Sequence, residues 1–177
     1  MKVLPALMAA TLFFVVTYGP SRAAEETSTA PPGVGGEFPG FVLPDVDNGA
    51  VSLSDFRGKA IMLSFWSCHT DTCYTSVRVI EALLVEYASL GLVAPTVCSE
   101  VPPALEKNSY AGLVERCGTG QVVLIDRDRE LTERLGISEF PTTYLIDRNY
   151  TVWAVIEGVP SLMGEEFRAL VRSLVVE

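Results

Sequence analysis

The feature that most constrains the fold of this chain is an apolar run at residues 60–66, followed by a short polar turn and then a helical pattern. A run that is apolar at nearly every position is typical of a strand buried on both faces of a sheet. Cys73 lies in the first turn of the helical pattern, where a helix N-terminus lowers the pKa of a thiol. The run therefore predicts a central strand followed by an activated cysteine.

The rest of the chain alternates predicted strands with predicted helices. Residues 41–43 and 51–53 flank an Asn48-Gly49 pair, which favours a β-hairpin. Further strands are predicted at residues 92–98, 122–125, 142–146 and 152–156, and helices at residues 75–90, 103–116, 130–135 and 164–175. This order indicates an α/β fold with a central mixed sheet and helices on both faces.

The N-terminal residues have the pattern of a secretory signal peptide. Lys2 supplies a positive charge, residues 4–16 are apolar, and residues 21–23 form a small-x-small cleavage site. The apolar stretch is short for a membrane span of about 20 residues, so an uncleaved signal segment is the only membrane contact we expect. We predict a signal peptide at residues 1–23, a flexible linker at 24–36 and one domain at 37–177, exported to the periplasm or another extracytoplasmic space.

The predicted mature chain is strongly acidic. Removal of Lys2 and Arg22 leaves 11 basic residues against 22 acidic ones, a net charge of −11. This charge argues against nucleic acid and against anionic membrane surfaces as partners.

Four cysteines lie in the predicted mature chain: Cys68, Cys73, Cys98 and Cys117. An exported protein meets an oxidising compartment, in which thiols tend to be paired or redox-active. Four cysteines allow three full pairings, and the sequence alone does not choose among them.

Three stretches together resemble one family. They are residues 36–45 with 53–59, the Phe65-Trp66 pair followed by Cys73, and residues 140–147. These stretches are similar, in the same order, to those of the thioredoxin-like superfamily, specifically the exported TlpA- and ResA-like redoxins of the AhpC/TSA type. The resemblance implies a thioredoxin-like fold with an N-terminal β-hairpin extension. It also implies thiol–disulfide exchange with client proteins and an unknown redox partner, without a cofactor.

The resemblance assigns the two positions of the family's CxxC motif to Thr70 and Cys73. Threonine forms no disulfide and is not ionised at neutral pH, so the motif here is a degenerate TxxC and the ordinary cycle is absent. Family position also makes Glu100 a proton acceptor and places His69 beside the active cysteine. There His69 is either a solvated residue or a cation that lowers the thiol pKa.

A proline loop is the third feature that the resemblance implies. In this family the proline at the position of Pro141 is cis and faces the active cysteines. Phe140, Pro141 and Thr142 would then dock an extended client segment along their backbone. A proline that merely begins a strand is the alternative interpretation.

Two cysteines remain open as the partner of Cys73. Cys68 lies five residues earlier, across the turn, and a bridge needs Cα atoms about 4.4–6.8 Å apart. Cys98 ends the strand predicted beside the Phe65 strand, and parallel strands bring such ends to one edge. Cys117 lies at the far end of a predicted helix, about 20 Å away at 1.5 Å per residue.

Three other functions stay open on the sequence. A peroxiredoxin-like peroxidase would use the TxxC cysteine, although Trp66 and Pro141 stand where that family has a proline and an arginine. A copper(I) carrier would use Cys68, His69 and Cys73, but His69 is the only histidine, so no metal site is predicted. The third is a non-catalytic thioredoxin-fold module that binds extended segments beside Pro141.

Overall fold

The computed structural model describes residues 31–67, 71–100 and 121–177, apart from the side chains of residues 71–74, 100 and 160. The predicted signal peptide, most of the predicted linker and the helix predicted at residues 103–116 lie outside this description. The described residues form the expected α/β architecture, in which a mixed sheet carries helices on both faces.

Eight strands and four α-helices are described in the residues above. The strands are β1 (Val42–Pro44), β2 (Ala50–Ser52), β3 (Ala60–Ser67), β4 (Leu92–Val93), β5 (Thr96–Glu100), β6 (Val123–Ile125), β7 (Thr142–Ile146) and β8 (Val152–Glu157). The helices are α1 (Asp71–Tyr87), α2 (Glu130–Arg134), α3 (Val159–Leu162) and α4 (Glu165–Val176). Short 3-10 helices cover Leu53–Phe56 and Ala88–Leu90.

The apolar run becomes the central strand of the main sheet. The strand order is β6-β5-β3-β7-β8, with β4 also paired to β3. The strands β4 and β5 run parallel to β3, β6 runs parallel to β5, and β7 runs antiparallel to both β3 and β8. Every residue of β3 is buried, as expected for a strand covered on both faces.

Alternate residues of β3 supply the two cores of the domain. Ile61, Leu63 and Phe65 join a core covered by the hairpin and α2. Ala60 and Met62 join a second core beneath α1, α3 and α4. Because successive side chains of a strand point to opposite faces, β3 joins both layers of the fold.

The N-terminal hairpin closes against one edge of the main sheet. Asp45 accepts backbone hydrogen bonds from Asp47 (2.9 Å) and Gly49 (2.7 Å), and Asn48 adopts a left-handed conformation with φ 64°. Asp45 also bridges to Leu124 of β6. The hairpin therefore protects an edge strand, a common way to cover unpaired backbone groups.

Two predicted elements differ from those observed. The strand predicted at residues 92–98 is divided into β4 and β5, with Pro95 between them; proline lacks the N–H that a continuous ladder needs. The helix predicted from residue 75 begins earlier, at Asp71. Its first turn is polar and carries no apolar period, so the pattern of apolar residues did not predict it. Its end matches the expectation: Gly91 is left-handed at φ 89°.

The guanidinium of Arg148 joins three elements from the β7–β8 turn. It donates hydrogen bonds to the carbonyl oxygens of Leu174 (3.5 Å) and Val175 (3.1 Å) at the end of α4, and to that of Leu90 (3.3 Å). Carbonyls at a helix C-terminus lack intrahelical partners and attract a cation. Arg148 therefore ties the C-terminal helix to the second core.

We expect Arg148→Met to lower the free energy of unfolding by about 1–3 kcal/mol, since it removes charge-assisted hydrogen bonds to carbonyls. Urea denaturation followed by circular dichroism measures this loss. Arg172→Met, at an exposed position of α4, is the matched control and should change the stability by less than about 0.5 kcal/mol. Equal losses in the two variants would contradict the assignment.

Candidate active site

The candidate site lies at one edge of the sheet, which we call the carboxyl edge. There β3 and β5 end, α1 begins at Asp71 and β7 begins at Thr142. The register fixes the neighbours: Trp66 pairs with Cys98, and Phe65 pairs with Thr142. The topology therefore brings Cys98 and the proline loop to the same edge as the first turn of α1.

Cys98 is fully buried in β5 and is disulfide-bonded. Its neighbour Val97 faces the core beneath the hairpin and α2, so alternation directs residue 98 to the face that α1 covers. The backbone N–H of Asp126 donates to the carbonyl oxygen of Cys98 at 3.0 Å. Both sides of the Cys98 backbone are thus held between β3 and β6.

Several predicted site residues lie outside the described part of the chain. These are Cys68, His69 and Thr70, together with Cys117. Cys73 lies in the first turn of α1 and Glu100 ends β5, but only their backbones are described. The roles assigned to these residues remain predictions.

The proline loop is fully described. The Phe140–Pro141 peptide bond is cis. The Thr142 hydroxyl donates to the carbonyl oxygen of Glu139 at 2.8 Å, and the Gly158 N–H donates to the carbonyl oxygen of Pro141 at 2.9 Å. The loop is therefore fixed both by its own turn and by the connection that leads into α3.

A buried polar network joins β5 to α2 on the other face of the sheet. The Asp126 carboxylate accepts hydrogen bonds from the Thr132 N–H (2.8 Å), the Thr132 hydroxyl (2.5 Å) and the Leu131 N–H (3.3 Å). The hydroxyls of Thr132 and Ser99 are hydrogen-bonded at 2.7 Å. We call Ser99, Thr132 and Asp126 the Ser-Thr-Asp network.

Comparison with known proteins identifies the family. Residues 34–155 match the sequence profile of the AhpC/TSA family. The chain belongs to the AhpC/TSA family. It is also 32% identical over 134 residues to the thiol-disulfide oxidoreductase ResA of Geobacillus thermodenitrificans, covering 76% of this chain and 73% of that protein. The predicted resemblance to a thioredoxin-like redoxin is confirmed.

Solved structures confirm the thioredoxin-like fold of this redoxin. A putative thiol:disulfide interchange protein DsbE from Chlorobium tepidum has a TM-score of 0.71 at 23% identity, covering 81% of this chain and 99% of that one. The exposed lipoprotein thioredoxin Etrx1 of Streptococcus pneumoniae has a TM-score of 0.63 at 27% identity, covering 77% and 100%. The N-terminal hairpin is consistent with the same fold.

The structure adds residues to the redoxin site that the sequence did not single out. Arg129, at the start of α2, places its guanidinium 5.8 Å from the centre of the Phe140 ring and has a left-handed backbone with φ 59°. Such a contact between a cation and an aromatic face is favourable. Asp126 had no local signal, because Arg129 occupies the position just before the helix. The Arg129 contact had none either, because α2 separates Arg129 from Phe140.

Among the described residues, no group of three His, Cys, Asp or Glu side chains has an arrangement suited to a metal ion. In the same part of the redoxin, no helix combines the length and apolar character needed to cross a membrane.

Tyr144 lies beneath the proline loop of the redoxin. Its ring makes edge-on contacts with Phe38 (5.1 Å between centroids) and Phe65 (6.2 Å). Burial raises the pKa of Tyr144 above its ordinary value, and the Glu157 carboxylate adds to this rise. The neutral phenol is therefore the form that the folded chain favours.

This raised pKa predicts a loss of stability in alkali. Above about pH 10 the unfolded chain releases the Tyr144 proton while the folded chain keeps it. The unfolded state then binds fewer protons, so the free energy of unfolding falls as the pH rises toward the folded-state pKa. Urea denaturation between pH 9 and about pH 11 should show a steeper fall for the wild type than for Tyr144→Phe. Parallel curves for the two proteins would refute the prediction.

Proposed function

We propose that this chain is an exported thiol–disulfide oxidoreductase that acts on client proteins through an altered pair, Cys73 and Cys98. The observation that carries the proposal is the disulfide of Cys98, a fully buried residue at the carboxyl edge. The relatives of this chain that are named thiol-disulfide oxidoreductase support thiol–disulfide exchange as the reaction class. The pair replaces the CxxC motif that Thr70 interrupts.

Helical spacing favours Cys73 as the partner of Cys98. Residue 73 precedes Val77 by about one turn, so the two positions share a helix face. Val77 is fully buried, and its carbonyl oxygen accepts a hydrogen bond from the Gln121 side chain at 3.0 Å. Residue 73 therefore lies on the buried face of α1, and residue 98 lies on the sheet face that α1 covers.

The predicted helix at residues 103–116 argues against Cys117 as the partner. It would return the chain to the opposite edge of the sheet, about 20 Å away at 1.5 Å per residue. Cys68 follows the end of β3 in the sequence and is the alternative partner of Cys98. Disulfide mapping must distinguish it from Cys73.

The burial of Cys98 suggests different roles for the two cysteines. With no exposed surface, Cys98 cannot meet a client disulfide first. Cys73 would therefore attack, and the N-terminus of α1 would favour its thiolate. Cys98 would resolve the mixed disulfide. In the CxxC motif of the family, the cysteine at the position of Cys73 resolves the mixed disulfide. Here Cys73 would be the attacking thiol instead.

The proposed cycle balances as an ordinary exchange. The Cys73 thiolate attacks one sulfur of a client disulfide, and the other client sulfur leaves as a thiolate. Cys98, after losing its proton, attacks Cys73 and releases the second client thiolate. Two electrons pass to the client, and its two thiolates take up two protons. A second dithiol protein must then reduce the Cys73–Cys98 bond.

Other residues at the edge would assist this cycle. Phe140, Pro141 and Thr142 would hold an extended client segment, since a fixed loop keeps its backbone in one geometry. Glu100 lies two residues after Cys98 in the chain and would accept the Cys98 proton. His69 would add positive charge beside Cys73.

Cysteine variants test the pair. Cys73→Ser and Cys98→Ser should each lower the rate of insulin reduction at least about 100-fold, since neither thiol completes the exchange alone. Cys117→Ser is the matched control and should retain the rate. Peptide mapping of the oxidised protein by mass spectrometry should recover Cys98 linked to Cys73.

Other results would assign other functions. Insulin reduction that survives both variants, or that is absent from the wild type, would remove the exchange proposal. Peptide binding that needs neither cysteine would then favour the binding module. Hydrogen peroxide consumption that needs Cys73 but not Cys98 would favour the peroxidase.

Export is part of the proposal and has its own test. The charged, apolar and small-residue segments of residues 1–23 support it, and the similar Etrx1 is an exposed lipoprotein. In a bacterial host, the mature chain should begin at Ala24 by mass spectrometry and lie outside the cytoplasm. Leu12→Asp should block export, and Ser28→Asp, beyond the cleavage site, should not. A full-length chain retained in the cytoplasm would contradict the proposal.

A further inference from the structure

We infer that the Ser-Thr-Asp network is a positioning element that sets the reduction potential of the Cys98 disulfide. The inference deepens the proposed function, because it concerns the same disulfide. It depends on Cys98 being disulfide-bonded and on no particular partner cysteine.

The network holds Cys98 through its own carbonyl group and through the residue that follows it. The Asp126 N–H binds the carbonyl oxygen of Cys98 at 3.0 Å, and the next residue, Ser99, binds the Thr132 hydroxyl at 2.7 Å. Asp126, Thr132 and Ser99 are 2%, 0% and 1% exposed. Water therefore offers no replacement partner, and each bond that is lost leaves a buried polar group unpaired.

The network also fixes elements too short to hold their own positions. Helix α2 has five residues and β6 has three. The Asp126 carboxylate accepts hydrogen bonds from the N–H groups of Leu131 and Thr132 in α2. A helix of this length is marginal without such contacts. One carboxylate therefore aligns the end of β6, the start of α2 and the end of β5.

A fixed strand end matters most when the disulfide is open. In the oxidised protein the S–S bond itself holds Cys98 beside its partner. In the dithiol only the surrounding structure keeps the two sulfurs close, and closeness raises the effective concentration of one thiol toward the other. The network should therefore favour the disulfide and keep the potential low.

Equilibrium with glutathione measures this effect directly. Two glutathione thiols reduce the Cys98 disulfide: its S–S bond breaks, the S–S bond of glutathione disulfide forms, and two electrons and two protons pass to the protein. Thr132→Val keeps the side-chain volume and removes the hydroxyl. We expect it to shift this equilibrium roughly tenfold toward the dithiol, which raises the potential by about 30 mV.

Matched variants separate positioning from stability. Thr132→Ser restores the hydroxyl and should stay within about twofold of the wild type, well inside a tenfold change. Thr143→Val removes a different buried hydrogen bond, the one between the hydroxyls of Thr143 and Ser64 at 3.0 Å. This bond links β7 to β3. It should destabilise the fold without shifting the equilibrium. If Thr132→Val does not fold, Ser99→Ala removes the other hydroxyl and should shift the equilibrium in the same direction.

The outcome that overturns the inference is specific. If Thr132→Val and Ser99→Ala lower the stability of the oxidised and reduced proteins equally, the potential stays unchanged and the network is structural only. A shift toward the disulfide would also refute it. The glutathione equilibrium needs no client turnover, so a failed insulin assay would remove the proposed function and leave this inference testable.

Discussion

Burial of β3 on both faces is the constraint on which the rest of the structure depends. Its eight residues form the middle of the sheet and contribute to both cores. A strand in this position must have neighbours on both sides and a cover on each face. Because β3 ends at Ser67, the first turn of α1, the end of β5 and the start of β7 come to one edge.

The carboxyl edge combines a rigid base with the residues proposed to react. Cys98 is held by β3 on one side and by β6 on the other, and the Ser-Thr-Asp network fixes the strand end below it. The proline loop is fixed independently, through Thr142 and Gly158. Precise placement of reacting groups requires such support, since small displacements reduce the rate of an intramolecular step.

The accuracy of the sequence analysis depended on the range of each interaction. The hairpin, the central strand and the glycine stop at Gly91 were correct, because turn residues and apolar periods act within a few positions. The division of the strand at Pro95 was missed, although proline gave a local signal. The Arg148 contacts with Leu90 and the end of α4 gave none, because their partners lie 58, 26 and 27 residues away.

By itself, the sequence determined the α/β architecture and the family. These follow from side-chain type and spacing, which need no knowledge of distant neighbours. Only the tertiary structure decided that Cys98 is fully buried and disulfide-bonded. It also decided that Ser99 meets Thr132 across 33 positions of the chain. Such contacts arise when strands and helices pack, so no local pattern encodes them.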